Sequence, residues 1–403
     1  MSDLSSLIKN MDQFKILIVD DKANMRRTIR NMLRQLGFNN FQEAEDGDVA
    51  VQRITSEKLD FVICDWNMPR MNGIEVLRTI REEERFRDLP FLMITAEVEE
   101  GTVAESIEAD VDGYILKPFI PKTLEDKIVE ILNRKLTPSP LETHLRIAEI
   151  HMKARNYAQA HKELDQAAKL SPRSPRLHFA RGLVYEAEGN LEQAEKALAL
   201  SRQMGPKFIR AHEKLAEIYS RQGRKAEVLE ALREAAKVSP KNADRQIRLG
   251  EALLADGRVA EARKAFNNAM LIDPDNPDRL TAIGEAYLAH GLAQEAEKAF
   301  TISLQNRPDS LHVYNRLGIA FRRQKKFDEA IGLYQKALAL DPEEENLHYN
   351  LARAYLGAGQ KDKALFSLRR AIQLNPSFQE AMDLAARLQG GAFETVQRAE
   401  DEV

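Results

Sequence analysis

The chain has 403 residues, a length that predicts more than one folded domain. Its composition, 43% hydrophobic and 30% charged, excludes disorder over most of that length. A net charge of −4, with no lysine- or arginine-rich block, disfavours a general nucleic-acid-binding protein. The single cysteine excludes an internal disulfide and a four-cysteine zinc site, and with no apolar stretch of signal or membrane length we expect a cytoplasmic protein without membrane insertion.

The first third of the chain alternates short apolar stretches with amphipathic ones. The apolar stretches predict buried strands at residues 15–19, 41–44, 61–64, 91–95 and 114–116. The amphipathic stretches predict helices at residues 23–36, 48–56, 74–84, 102–109 and 122–134. Because strand and helix alternate, we expect an α/β doubly wound domain with a five-stranded parallel sheet and helices on both faces.

Polar side chains follow the predicted strands at their carboxyl ends, where open parallel sheets bind ligands. They are Asp20 and Asp21 after the first strand, Asp65 after the third, Thr95 at the end of the fourth and Lys117 after the fifth. Each one alone is typical of a strand-end cap or a packing residue, but together they predict a site. Carboxylates are ligands that Mg²⁺ prefers, so these three aspartates predict a Mg²⁺ site. Because the bound cation would neutralise their charge, Asp65 is the candidate nucleophile towards a phosphoryl group. The Thr95 hydroxyl and the Lys117 ammonium are placed to hold phosphoryl oxygens.

The motifs around these residues resemble the receiver domains of bacterial two-component response regulators, over about residues 14–134. The matching runs are Ile18-Val-Asp-Asp, Cys64-Asp-Trp-Asn-Met-Pro-Arg-Met-Asn-Gly, Met93-Ile-Thr-Ala and Gly113-Tyr-Ile-Leu-Lys-Pro-Phe. They look most like the single-domain chemotaxis receivers. The resemblance implies a flavodoxin-like sheet with strand order 2-1-3-4-5.

The same resemblance implies roles for individual residues. It implies that a histidine kinase phosphorylates Asp65, with Mg²⁺ held by Asp20, Asp21, Asp65 and the backbone carbonyl of Asn67. Thr95 and Tyr114 would form a switch pair, and Lys117 would contact the phosphoryl group. Asn67 and Glu97 would tune hydrolysis of the acyl phosphate, and Lys117-Pro118 would be a cis peptide.

The rest of the chain is a repeat array. Seven prolines stand 34 residues apart without an insertion, at Pro172, Pro206, Pro240, Pro274, Pro308, Pro342 and Pro376. If each proline is position 32, then positions 8, 20 and 27 carry small residues in every copy except for Val228 at position 20. This pattern resembles the tetratricopeptide repeat, although position 4 lacks the family's tryptophan, and each copy is expected to be a helical hairpin within an all-α solenoid.

These patterns predict six segments. They are an N-terminal extension (residues 1–13), the receiver (14–135), a linker with two prolines (136–140), seven repeats (141–378), a capping helix (379–390) and a tail (391–403).

In the tetratricopeptide family, positions 2, 5, 9 and 12 of the first helix chiefly line the concave side. Repeats three to five carry acidic residues there, namely Glu213, Glu217, Asp244, Glu251, Asp278 and Glu285. Repeats six and seven carry His312, Arg322, Tyr349 and Arg353. The sequence thus suggests a groove for a protein or peptide, acidic in the middle and basic near its end, with a merely solvated helix face as the alternative.

Three functions remain open from the sequence. The leading one is a non-enzymatic response regulator whose output is protein binding by the repeats. The second is a phosphorelay intermediate or phosphate sink with the repeats as a scaffold. The third, an RNA-binding regulator, is disfavoured by the small net charge and the acidic middle repeats.

Overall fold

The computed structural model describes residues 4–8, 11–86, 88–96 and 111–390. Glu97, the helix predicted at residues 102–109 and the tail at residues 391–403 lie outside the described residues. The chain divides into two compact units, Met1–Arg245 and Gln246–Val403. This division falls inside the fourth repeat, and the six segments predicted from the sequence remain predictions.

The first unit begins with a five-stranded parallel sheet. Its strands are β1 (Lys15–Val19), β2 (Asn40–Ala44), β3 (Phe61–Asp65), β4 (Phe91–Thr95) and β5 (Gly113–Leu116). The order across the sheet is β2-β1-β3-β4-β5, and all four pairings are parallel. The predicted α/β class and the flavodoxin-like strand order are confirmed.

Helices cover both faces of this sheet. They are α1 (Leu4–Leu7), α2 (Ala23–Gln35), α3 (Gly47–Ser56), α4 (Gly73–Glu82) and α5 (Pro121–Leu136), with a 3₁₀ turn at Glu84–Phe86. Alternate strand residues enter two cores: Leu17 and Val62 pack with α3 and α4, and Ile16 and Ile63 pack with α2 and α5. Leu4, from the predicted N-terminal extension, is buried in the second of these cores.

Helical hairpins follow, one in each repeat. In the first unit they are α6 (Pro140–Lys153) with α7 (Tyr157–Leu170), α8 (Pro175–Ala187) with α9 (Leu191–Met204), and α10 (Ile209–Arg221) with α11 (Lys225–Val238). Helix α12 (Ala243–Ala255) spans the division between the units. The second unit contains α13 (Val259–Ile272), α14 (Pro277–Ala289), α15 (Ala293–Asn306), α16 (Leu311–Arg323), α17 (Phe327–Leu340), α18 (Glu345–Gly357), α19 (Lys361–Leu374) and α20 (Gln379–Gly390).

The small residue at position 8 is required by packing inside each hairpin. In four repeats it is a glycine that faces the large side chain at position 24 of the second helix, as in the pairs Gly182/Leu198, Gly250/Phe266, Gly284/Phe300 and Gly318/Tyr334. A Cβ atom on Gly318 would lie 2.4 Å from the Cζ atom of Tyr334. The two helices of these hairpins therefore approach closely at position 8.

The turn inside each hairpin has one recurring backbone geometry. Position 15 has a positive φ in all seven repeats, between 57° and 82°. Five of these residues are glycines, which adopt that region freely, whereas Arg155 and Lys325 occupy it in the first and sixth repeats.

Among the described residues, no helix is both long and apolar enough to cross a bilayer.

Candidate functional site

The predicted acidic pocket is formed at the carboxyl edge of the sheet. Because β1 and β3 are neighbours and Val19 pairs with Cys64, the residues that follow or end these strands lie side by side. Carboxylate oxygens of Asp20, Asp21 and Asp65 all lie within 4.8 Å of one another. Asp20 is 0% exposed and Asp65 5% exposed, whereas Asp21 faces solvent. The pocket thus has a buried floor and one open side.

Lys117 completes this pocket from β5. Its ammonium Nζ lies 2.9 Å from Asp65 Oδ1 and 3.0 Å from Asp20 Oδ2. Its backbone N–H donates to the Thr95 carbonyl at 2.7 Å, which joins the ends of β4 and β5. The Lys117-Pro118 peptide is cis, as the resemblance implied.

The electrostatics of the pocket favour the binding of a cation. Burial raises the pKa of Asp65, and the neighbouring charges of Asp20 and Asp21 raise it further, while Lys117 opposes the shift. Burial alone would lower the pKa of Lys117, but hydrogen bonds to Asp65 and Asp20 outweigh it and raise that pKa. One ammonium facing three carboxylates leaves excess negative charge, so this donor set fits a hard divalent ion such as Mg²⁺.

Backbone groups that the sequence analysis missed also hold the pocket. The Trp66 N–H donates to Asp65 Oδ1 at 3.0 Å, and the Lys22 N–H donates to Asp20 Oδ1 at 2.9 Å. A Cβ atom on Gly73 would lie 2.3 Å from the Asp65 carbonyl oxygen, so only glycine lets the start of α4 approach this closely. Main-chain donors are common to every sequence, and no side-chain pattern could have revealed them.

The predicted switch pair lies on adjacent strands. Thr95 is 3% exposed at the end of β4, and Tyr114 is 39% exposed on β5, where it pairs with Met93. Asn67 is exposed in the loop after β3.

The residues predicted to line a groove make contacts within each unit. In the first unit, Glu213 accepts from Arg245 Nε at 3.0 Å. In the second unit, Glu285 pairs with Arg316 and with His312, and Asp278 pairs with Arg307. The contacts of Glu213 and Glu285 connect successive repeats, whereas Asp278 and Arg307 belong to the same repeat. Glu213 and Glu285 therefore already serve the stacking of the repeats.

Other groove candidates differ in their accessibility. Arg322 is only 9% exposed and lies beside the buried Tyr334, whose pKa burial raises to about 12. The guanidinium of Arg353 lies 5.8 Å from the ring centroid of Tyr349, and Tyr349 packs against Phe378. Glu217 pairs with Lys214 of its own helix, and Glu251 is exposed. Among these candidates, Arg322 is therefore the least accessible to a ligand.

Comparison with known proteins agrees with this geometry. The response regulator receiver domain matches residues 16–129. Chemotaxis protein CheY-3 of Vibrio cholerae is 51% identical over 128 residues, which is 32% of this chain and 96% of that protein. Chemotaxis protein CheY of Pseudomonas aeruginosa is 49% identical over 120 residues, 30% of this chain and 97% of that protein. The chain belongs to the response regulator receiver family.

The rest of the chain has separate matches. Tetratricopeptide repeats match residues 145–207, 213–277, 281–345 and 321–388. The architecture is therefore a CheY-like receiver joined to tetratricopeptide repeats.

Solved structures resemble each part separately. CheY4 of Vibrio cholerae covers 30% of this chain and 99% of its own, with 30% identity and a TM-score of 0.28. The C-terminal part of a tetratricopeptide repeat protein from Cytophaga hutchinsonii covers 59% of this chain and 98% of its own, with 18% identity and a TM-score of 0.48.

Proposed function

We propose that this protein is a cytoplasmic response regulator in which Asp65 accepts a phosphoryl group from a histidine kinase. The observation that carries the proposal is the convergence of Asp20, Asp21 and Asp65 with the Lys117 ammonium at one edge of the sheet. The output is protein binding by the repeats, and the chain contributes no catalysis beyond its own phosphorylation and dephosphorylation.

Each pocket residue has a separate role in the phosphoryl transfer. A carboxylate oxygen of Asp65 attacks phosphorus, the bond from phosphorus to the kinase imidazole nitrogen breaks, and its electron pair stays with that nitrogen. The Thr95 hydroxyl and the Lys117 ammonium bind oxygens of the transferred group. Asp20, Asp21, Asp65 and the Asn67 carbonyl would hold Mg²⁺, which supplies neutralisation of the charge that gathers around phosphorus.

A second function has one observation in its favour. Two of the acidic residues predicted for the groove are engaged in ion pairs between repeats, Glu213 with Arg245 and Glu285 with Arg316. A scaffold needs such stacking contacts and no open groove. A phosphorelay intermediate or phosphate sink, with the repeats as scaffold, is therefore the alternative.

The first prediction tests the acceptor. Wild-type protein incubated with acetyl phosphate and Mg²⁺ should gain one phosphoryl group by intact mass, which hydroxylamine should remove as it does from an acyl phosphate. Chelation of Mg²⁺ should prevent the gain. Asp65→Asn removes the nucleophilic oxygen while keeping the shape, so we expect no phosphorylation. Asp48→Asn, which changes an exposed carboxylate on α3, should behave like wild type. Phosphorylation of Asp65→Asn at the wild-type level would refute the assignment.

A further inference from the structure

A buried aspartate lies at the opposite end of β5 from the phosphorylation pocket. Asp112 immediately precedes this four-residue strand, and Lys117 immediately follows it. Asp112 is only 7% exposed. A single short strand therefore connects the lysine of the pocket to a buried carboxylate at the far edge of the sheet.

The Asp112 carboxylate is surrounded by donors. Its Oδ2 atom accepts from Arg81 Nη2 at 3.0 Å and from the Phe91 N–H at 2.9 Å. Its Oδ1 atom lies 2.8 Å from Lys135 Nζ and 3.5 Å from Arg134 Nη2, and Arg134 also donates to the Asp112 carbonyl. Lys135 and Arg134 lie in the last turn of α5, directly before the short connection to the first repeat. Asp112 thus bonds to the end of α5, the helix that precedes the first repeat.

Arg81 extends this cluster towards a contact with the first repeat. It donates to the Phe86 carbonyl at 2.6 Å and to the Leu89 carbonyl at 2.9 Å. Asp88 lies between those residues, and its carboxylate pairs with Arg146 of α6. Both partners of that ion pair are more than half exposed, and such a pair alone is weak because water screens it. The two bonds from Arg81 join the buried cluster to carbonyls on either side of Asp88.

We propose that the receiver surface formed by Asp88, Asp112 and the last turn of α5 is the docking surface for the chain's own first repeat, with Asp112 as its anchor. The part of this proposal that concerns signalling rests on the proposed function. Phosphorylation of Asp65 gives the Lys117 ammonium new oxygens to bind, which changes its bonds to Asp65 and Asp20. Because β5 is hydrogen-bonded to β4 along its length, a shift at Lys117 is passed to Asp112 at the other end of the strand. Docking of the repeat then differs between the two states, as coupling between two sites requires.

Distance measurements between spin labels test this proposal on the full chain. Lys58→Cys and Lys162→Cys place labels on exposed positions of the receiver and the first repeat, and the native Cys64 is fully buried. Wild type should give one narrow distance distribution whose mean shifts on addition of Mg²⁺ and beryllofluoride. Asp112→Asn should broaden the distribution and abolish the shift. Asp126→Asn removes an exposed carboxylate that pairs with Lys122 of the same helix, α5, and it should behave like wild type.

Further measurements keep each outcome interpretable. The single tryptophan, Trp66, adjoins Asp65, so its fluorescence reports whether the mimic binds in each variant. If Trp66 fluorescence and the label distances change in no protein on addition of the mimic, the proposed function fails. Broadening of the distance distribution in Asp112→Asn still tests the docking surface in that case. If Trp66 responds and Asp112→Asn matches wild type in width and shift, the inference is overturned. Should Asp112→Asn fail to fold by circular dichroism, Lys135→Gln and Asp88→Asn remove one contact each, and unchanged distributions in both would overturn it equally.

Discussion

The pocket combines individual side chains that the sequence reveals with backbone groups that it does not. Asp20, Asp65 and Lys117 were predictable because the carboxyl ends of parallel strands share one edge, so residues far apart in the chain are brought together. The Trp66 N–H bond to Asp65 was not predictable, since it depends on how the loop folds back. Asp112 was missed because a lone acidic residue before a strand has no distinguishing pattern, and its three cationic partners come from two separate helices.

The second prediction concerns the lifetime of the phosphorylated state. Asn67 and Glu97 stand two residues after Asp65 and Thr95, and polar side chains there can orient a water molecule towards the acyl phosphate. Replacing both by apolar residues, as in Asn67→Leu with Glu97→Leu, should slow the loss of the phosphoryl group. The measurement is the decay of phosphorylated protein by intact mass after the phosphodonor is removed. Decay as fast as in wild type, or faster, would contradict this role.

The third prediction is a pH dependence that arises from His212. This imidazole is 3% exposed and its Nε2 atom bonds to the Pro206 carbonyl at 2.9 Å. Burial lowers the pKa of His212, and Arg202 lowers it further, against opposing effects of the Pro206 bond, Glu234 and Glu213. The unfolded chain, with an ordinary pKa of about 6.5, then binds the proton more readily than the folded one. The stability that His212 contributes is complete above about pH 6.5 and is lost as the pH falls below it.

Urea unfolding of wild type and of His212→Gln at pH 7.5 and pH 5 measures this effect. The free energy of unfolding should fall more steeply with decreasing pH in wild type than in the variant. Equal falls in both proteins would show that His212 does not carry the pH dependence.

At the element scale, repeat spacing predicted more than local propensity did. The 34-residue period indicated every hairpin, because small residues at fixed positions mark helix contacts irrespective of the surrounding sequence. Helix ends were less exactly predictable: residues 74–84 were expected as one helix, whereas α4 ends at Glu82 and a 3₁₀ turn follows. Amphipathic periodicity continues through such a turn, while the hydrogen bonds that end the helix depend on tertiary contacts.

The fourth prediction uses two glycines of the sixth repeat. Gly318→Ala places a methyl group against the ring of Tyr334, which is completely buried, so we expect destabilisation of about 1–3 kcal/mol. Gly332→Ala in α17 meets no atom within 4 Å and should stabilise the helix by about 0.5–1 kcal/mol. Thermal and urea unfolding measure both changes. A neutral or stabilising Gly318→Ala would refute the packing account of position 8.

For the whole molecule, sequence and structure agree on a receiver followed by repeats, but the compact units of the structure do not follow the boundary between these two parts. The change from alternating strands and helices to an uninterrupted 34-residue period identified a receiver followed by repeats. The division into compact units at Arg245 was not predictable, because the repeat pattern runs through that point unchanged. The contact between the receiver and the first repeat could not be predicted either. In the sequence, Asp88 and Arg146 are charged residues without a distinguishing pattern, and only the structure pairs them.

The proposed function requires that the state of Asp65 controls what the repeats bind, and this claim can be tested by differential capture of partners. Immobilised full-length protein is exposed to extract of its own cells with Mg²⁺, with and without beryllofluoride, and bound proteins are quantified by mass spectrometry. Asp65→Asn under both conditions is the control for effects of the mimic that do not pass through the acceptor. With coupling of about 1–3 kcal/mol, we predict that at least one partner changes by roughly 5-fold or more in wild type and stays constant in the variant. Identical capture by wild type in both states, with the mimic shown to be bound, would contradict the claim.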